Sequence, residues 1–133
     1  MIEYPHFGPI ELAVAELLEA RFPGAKVSGD IEYIGNKAPN AFFVAQVPGA
    51  GKLTETDGTW YVDVDVFDTE YLSGLDRAEE VSLLFLNRRL RTSTIIFDKV
   101  EQSSPPAEIP WRDDSVYRIG ATYSFTARRI SRN

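Results

Sequence analysis

A chain of 133 residues, 44% hydrophobic and 26% charged, is long enough for one sizeable core and has the make-up of a soluble globular domain. No apolar run approaches the roughly 18 to 20 residues of a membrane span, and a formal charge of −6 argues against nonspecific binding to nucleic-acid phosphates. The absence of cysteine excludes disulfides, thiolate catalysis and every cysteine-containing zinc site, and fits a reducing compartment.

The charge is unevenly spread. Residues 1–80 carry five Lys/Arg against 15 Asp/Glu, whereas residues 81–133 carry nine against five, so an acidic front joins a basic back. Such polarity could let copies dock on one another by opposite charge, although a solvated surface whose charges are mixed again by folding is the favoured reading. The N-terminus, Met1 to Pro5, has neither a basic start nor a continuous apolar stretch, so no secretory signal is expected and the cytoplasm is the expected site of action.

The predicted elements begin with a helix announced by Gly8 and Pro9, carrying Ile10, Ala13, Val14, Leu17 and Leu18 and stopped by Pro23-Gly24. Residues 25–34 read as an irregular strand, and Ala41 to Val47 as a short apolar one. The stretch Pro48 to Gly58, including Gly49, Gly51 and Lys52, is too long for a tight hairpin turn and reads as an extended loop or arm. It leads into an alternating strand, Trp60 to Phe67, with Val62, Val64 and Val66 on one side and Asp63 and Asp65 on the other.

A long helix is predicted from about Thr69 to Arg91. One arc of it holds Leu72, Leu75, Leu83, Leu86 and Leu90; an adjacent arc holds Tyr71, Ala78, Val81 and Phe85. The first arc is expected to cover the sheet, leaving the second as a candidate oligomer interface. Strands follow at 92–100 and 115–130, the latter with Tyr117, Ile119, Ala121, Tyr123, Phe125 and Ala127 facing one way and Arg118, Thr122, Ser124, Thr126 and Arg128 the other. Between them, residues 101–114, with Pro105, Pro106 and Trp111, form a second long loop. The expected fold is a single α+β domain over residues 1–133, an antiparallel or mixed sheet of about four to five strands with two helices on one face.

Little in the chain points to chemistry. Gly49-Ala50-Gly51-Lys52 lacks the spacing and the following Ser or Thr of a phosphate loop and leads into a strand. Asp63 and Asp65 share a strand face on which two carboxylates can hold a divalent metal, the basis of a hydrolase or nuclease alternative; plain alternation with acids on the wet face explains them more simply. His6 stands alone, so neither a triad nor a multi-histidine metal site is supported. Arg88, Arg89 and Arg91 close the long helix, where cations suit the dipole, while Arg128, Arg129 and Arg132 form a basic tail suited to carboxylate partners.

The strand Thr59 to Phe67 behind a glycine-rich loop, the helix containing Asp76-Arg77-Ala78-Glu79-Glu80-Val81 and the final strand ending Tyr123-Ser124-Phe125-Thr126-Ala127-Arg128-Arg129 together resemble the tail terminator proteins of long-tailed, siphovirus-type bacteriophages, most of all the versions from phages of actinobacteria. The resemblance rests on element order over nearly the whole chain. It implies a structural virion protein with no reaction and no cofactor: a hexameric ring that caps the tail tube at its head-proximal end, stops its polymerisation and meets the head-tail connector. Assembly in the host cytoplasm is expected, with no sequence-specific nucleic-acid contact and no membrane partner. Neighbouring head-tail joining proteins are the alternative within that class, and a monomeric ligand-binding domain with an apolar pocket is a third reading. On the ring reading, Pro48, Gly49, Gly51, Lys52, Pro105, Pro106 and Trp111 are candidate docking positions, and Asp63, Asp65, Arg118 and Arg128 are candidates for bore-facing or inter-subunit charges.

Overall fold

The computed structural model describes residues 9–53, 57–86 and 88–129. His6, Arg132 and the 54–56 part of the 48–58 stretch lie outside the described residues, as do the side chains of Arg128 and Arg129. The first helix, α1 (Pro9–Arg21), starts at the expected proline. Strand β1 (Lys26–Ser28) follows it. A short helix α2 (Ile31–Ile34) then stands where the sequence suggested an irregular strand. Asp30 decides that outcome: its carboxylate accepts the Glu32 and Tyr33 N–H groups at 3.1 and 3.3 Å, capping the helix start.

Strand β2 (Ala41–Gln46) pairs antiparallel with the long β4 (Asp57–Asp68) and parallel with β1. Helix α3 (Tyr71–Phe85) is followed by β5 (Leu90–Arg91), β6 (Ile95–Ile109) and β7 (Tyr117–Arg129). With β3 (Lys52–Leu53) paired to β4, the described residues form one curled, mixed seven-stranded sheet of order β1-β2-β4-β7-β6-β5. The fold is therefore α+β in a single domain, with seven strands rather than four to five and three helices rather than two.

Two stretches expected to be loops are strand in part. Val47 donates to the Tyr61 carbonyl at 2.8 Å, and Lys52 and Leu53 rejoin β4 opposite Thr59 and Gly58. Pro48 to Gly51 is thus an outward loop within one strand edge, turned by Gly49 (φ +75) and Gly51 (φ +97). A side chain at Gly51 would lie 2.2 Å from the Thr59 carbonyl, so glycine is needed there on both counts. Residues 101–109 continue β6 against β7 through two register shifts, and Pro105 and Pro106 fall inside the second, between the Ser104–Thr122 and Ala107–Gly120 pairs. Beyond Ile96 and Phe97, which pair with β5, the outer side of β6 has no strand partner among the described residues. Proline costs no ladder bond on an edge.

Helices α1 and α3 cover one sheet face, filling the core with Val14, Leu18, Phe42, Val62, Val64, Val66, Phe97, Ile119, Tyr123 and Phe125. Phe85 of α3 meets Tyr123 and Phe125 edge-on at 5.2 Å each. Such pairs contribute about 0.5–1.5 kcal/mol beyond their burial. Helix α2 lies on the opposite face. There Ile34, Ala41 and Phe67 form a second small core beneath Phe43, Trp111 and Val116. Both faces are therefore covered at the end of the sheet where β4 finishes and β7 begins, a departure from the single greasy face expected.

Candidate functional site

Alternation along β4 places Thr59, Tyr61, Asp63, Asp65 and Phe67 on the second face, opposite Thr126, Ser124, Thr122, Gly120 and Arg118 of β7. Asp65 is only 2% exposed, and Arg118 reaches diagonally to it, Nε to Oδ2 at 2.8 Å. The guanidinium lies 5.8 Å from the ring centres of both Phe43 and Trp111, which shield the pair from water. Burial pushes the Asp65 carboxyl above the usual carboxylate range; the Arg118 charge and hydrogen bond pull the other way without cancelling it.

Asp63 is half-buried and accepts the Thr122 hydroxyl, while the Thr59 and Thr126 hydroxyls meet at 3.1 Å. Thr59, Asp63 and Asp65 on this stripe are each engaged by a side chain of β7, which makes these contacts a structural ladder. Asp65 is committed to Arg118 within its own chain and is not presented to a bore. A metal here would have to displace the guanidinium, and among the described residues no group of three or more His, Cys, Asp or Glu converges on one point. Arg128 lies in β7 opposite Asp57 and Ile96.

The helical layer departs from the expected assignment of its two arcs. Ala78, Val81 and Phe85 are buried in the chain's own core, so they are not an oligomer interface. Tyr71 stays at the rim and stacks edge-on against Tyr117 at 5.9 Å. Two of the leucines point outward, Leu72 71% and Leu83 73% exposed, while Leu75 and Leu86 pack against the core and Leu90 is buried in it. The small Gly74 and Ala78 explain the choice, since they let α3 approach the sheet closely; a methyl at Gly74 would already sit 3.0 Å from Ile119. The predicted helix was also too long. Leu86 caps its end and Leu90 belongs to β5, so the leucine arc that seemed to need the sheet loses two members.

Leu72, Asp76, Glu79 and Leu83 follow at helical spacing along the exposed face of α3, with Glu80 beside them. Glu80 reaches Arg21 of α1 at 3.8 Å, and α1 adds the exposed Glu16 and Glu19. The outer helical surface is therefore acidic and studded with leucine. Past the end of α3, Arg88, Arg89, Asp98, Lys99, Val100 and Glu101 line an open cleft of about 330 Å³ at the start of β6. Its ion pairs, Arg89–Asp98 at 3.4 Å and Lys99–Glu101 at 3.5 Å, are solvent-facing and contribute little to stability.

Of the candidate docking positions, Pro48, Gly49 and Gly51 lie in the loop between β2 and β3, and Lys52 lies in β3 beside Leu53, which is 66% exposed. Pro105 and Pro106 are on the β6 edge. Trp111 is an internal anchor instead: it meets Phe67 at 5.0 Å and lies so close over Gly35 that a Cβ there would be 2.3 Å from the indole. Leu53, Leu83 and the cleft were not singled out from the sequence as surface features, although the eleven-residue spacing of Leu72 and Leu83 places them on one side of any helix. Neither a known protein-family profile nor a curated protein matches the chain.

Proposed function

We propose that this chain is a virion assembly protein of the tail-terminator kind, a subunit of a ring that caps a phage tail tube, ends its growth and receives the head-tail connector. The observation that carries this reading is the exposure of large leucines at two separate places on a domain whose own core is complete: Leu53 on the β3–β4 hairpin, and Leu72 with Leu83 on the helical layer. A ring subunit needs contacts of two kinds, lateral to its neighbours and axial to tube or connector, and each kind requires apolar anchors. The element order resembling tail terminators supplies the particular assembly. The ring is proposed as a hexamer, with the hairpin as an axial contact and no cofactor or reaction.

Electron microscopy of tails purified from infected cells, with this protein labelled and counted, tests the proposal. One ring of six copies at the head-proximal tip of the tube is the expected result. A location above the tip, between connector and head, assigns the chain to another neck protein. Absence from the virion overturns the structural reading.

A further inference from the structure

We infer that neighbouring copies of this chain join by seating the acidic, leucine-bearing face of α3 on the arginine-bearing cleft at the β5–β6 edge of the next copy. The inference rests on the ring reading and specifies its lateral contact.

The two surfaces complement each other in charge and in shape. On α3, Leu83 stands one turn after Glu79 and Glu80, so an apolar knob is flanked by two carboxylates on its N-terminal side. On the β5–β6 edge, Arg88, Arg89 and Lys99 line a recess together with Asp98 and Glu101, which pair with Arg89 and Lys99; Arg88 is left to meet an incoming carboxylate, and Arg91 is exposed close by in sequence. Among the described residues, Arg88 and Arg91 form no ion pair. The aliphatic stems of arginine and lysine give such a recess apolar walls beneath charged heads. A leucine flanked by glutamates fits it, burying its methyls against the stems while the carboxylates meet the cations.

The occupant is a second copy because the chain itself carries both halves. Its overall charge is −6, yet its positive surplus is gathered after residue 81, where this cleft lies, and its acidic surplus before it. The surfaces occupy different parts of one subunit: the exposed flank of α3, and the segment beyond its C-terminal end. The contact is therefore heterologous, the type that generates rings when its rotation closes. Like charges suppress the alternatives, since face-to-face pairing brings Asp76, Glu79 and Glu80 against themselves and cleft-to-cleft pairing brings arginines together.

Two experiments on the full chain test this contact. In the first, sedimentation at low ionic strength measures self-association of the wild type, Glu79→Lys, Arg88→Glu, Leu83→Glu and an equimolar mixture of the first two variants. All three positions are exposed, and circular dichroism checks that each variant folds. Each single variant is expected to associate at least about tenfold more weakly. The mixture of E79K and R88E is expected to recover wild-type association, because each variant then finds a complementary partner on both sides. Added salt should weaken the wild type as screening shortens to about 8 Å.

The second experiment uses the absence of native cysteine. Leu83→Cys on one copy and Glu101→Cys on another are expected to be joined by a short bis-maleimide when mixed, well above either variant alone. Single variants that associate like the wild type, or linking no stronger in the mixture, overturn this contact while leaving the ring to be judged by microscopy of tails. A wild type that stays monomeric at all concentrations up to about 1 mM overturns it as well, and six copies counted at the tube tip then still uphold the ring reading by another interface.

Discussion

Arg118 hydrogen-bonds Asp65 at 2.8 Å from a neighbouring strand, and the two are the most enclosed ion pair on the second face of the sheet. The pair sits between Phe43 and Trp111, where water screens it poorly. Removing one member leaves the other charged and buried. Arg118→Met is therefore expected to cost about 3–5 kcal/mol in urea unfolding, whereas the double change Asp65→Leu with Arg118→Met should recover much of that loss. A double variant no better than the single would show that the pair fixes the local structure beyond its charges.

The same pair makes a pH prediction. The carboxyl of Asp65 titrates above its unfolded value because burial outweighs the pull of Arg118. A group raised in this way contributes stability that is fully present below the unfolded pKa and is lost as pH rises through the folded one. The stability difference between wild type and Asp65→Asn should therefore favour the wild type most at the acid end and decline through the region above the usual carboxylate range. Comparing the two proteins cancels the titration of the other carboxylates. In the Arg118→Met background the decline should be larger, because the opposing charge is gone. Urea midpoints across an acid pH series measure both, and a difference that rises with pH contradicts the assignment.

Gly120 faces Asp65 directly across the ladder. A Cβ at this position would lie 2.1 Å from the carboxylate Oδ1 and 2.7 Å from the Ile109 side chain. The glycine creates the space in which the carboxylate turns toward Arg118. Gly120→Ala is expected to destabilise by about 2–4 kcal/mol, through overpacking and disturbance of the ion pair. Replacing Asp65 by Ala as well should reduce the penalty, an interaction a double-mutant cycle reads directly.

How far the sequence revealed these relationships depends on what each signal encodes. Alternation placed Val62, Val64 and Val66 in the core and put Asp63 and Asp65 together on the other face, because side-chain direction along a strand is a local property. Period alone did not reveal that Asp65 would be roofed over, since the roof comes from Phe43 and Trp111, far away in the chain. The helix arcs were legible as arcs, but the one that met the sheet was decided by Gly74 and Ala78, whose small size signals close approach better than leucine signals burial. Pro105 and Pro106 hid a strand. A proline inside an alternating run reads as a break unless the strand is known to lie at an edge.

At the interface of α3 with the sheet, Ser82 Oγ contacts the Tyr123 hydroxyl at 2.6 Å and accepts the Gln102 amide at 2.9 Å. Burial pushes the Tyr123 phenol up, against the opposing influence of hydrogen bonding to Ser82 and Gln102. Ser82→Ala removes the hub and leaves two polar groups short of a partner, at an expected cost of about 1–3 kcal/mol. Tyr123→Phe in the Ser82→Ala background should add less than it does alone, because one of the orphaned groups is then absent. Additive losses would mean that the hydroxyls act independently.

The outer side of β6 presents backbone groups beyond its short pairing with β5, an arrangement that invites strand addition by another molecule. Its register shifts and Pro105-Pro106 oppose that: proline lacks an N–H to donate, and each irregularity twists the edge away from a flat template. A chain proposed to assemble through chosen side-chain surfaces has particular need of such protection, since strand addition would produce open growth in place of a closed ring. Changing both prolines to threonine is expected to leave the monomer fold intact, because both lie within a register shift, between the Ser104–Thr122 and Ala107–Gly120 pairs, where neither is paired with β7. Light scattering of the double variant should show faster, concentration-dependent aggregation than the wild type, insensitive to Glu79→Lys. Aggregation abolished by that charge reversal would place the new contact on the helical face instead of the strand edge.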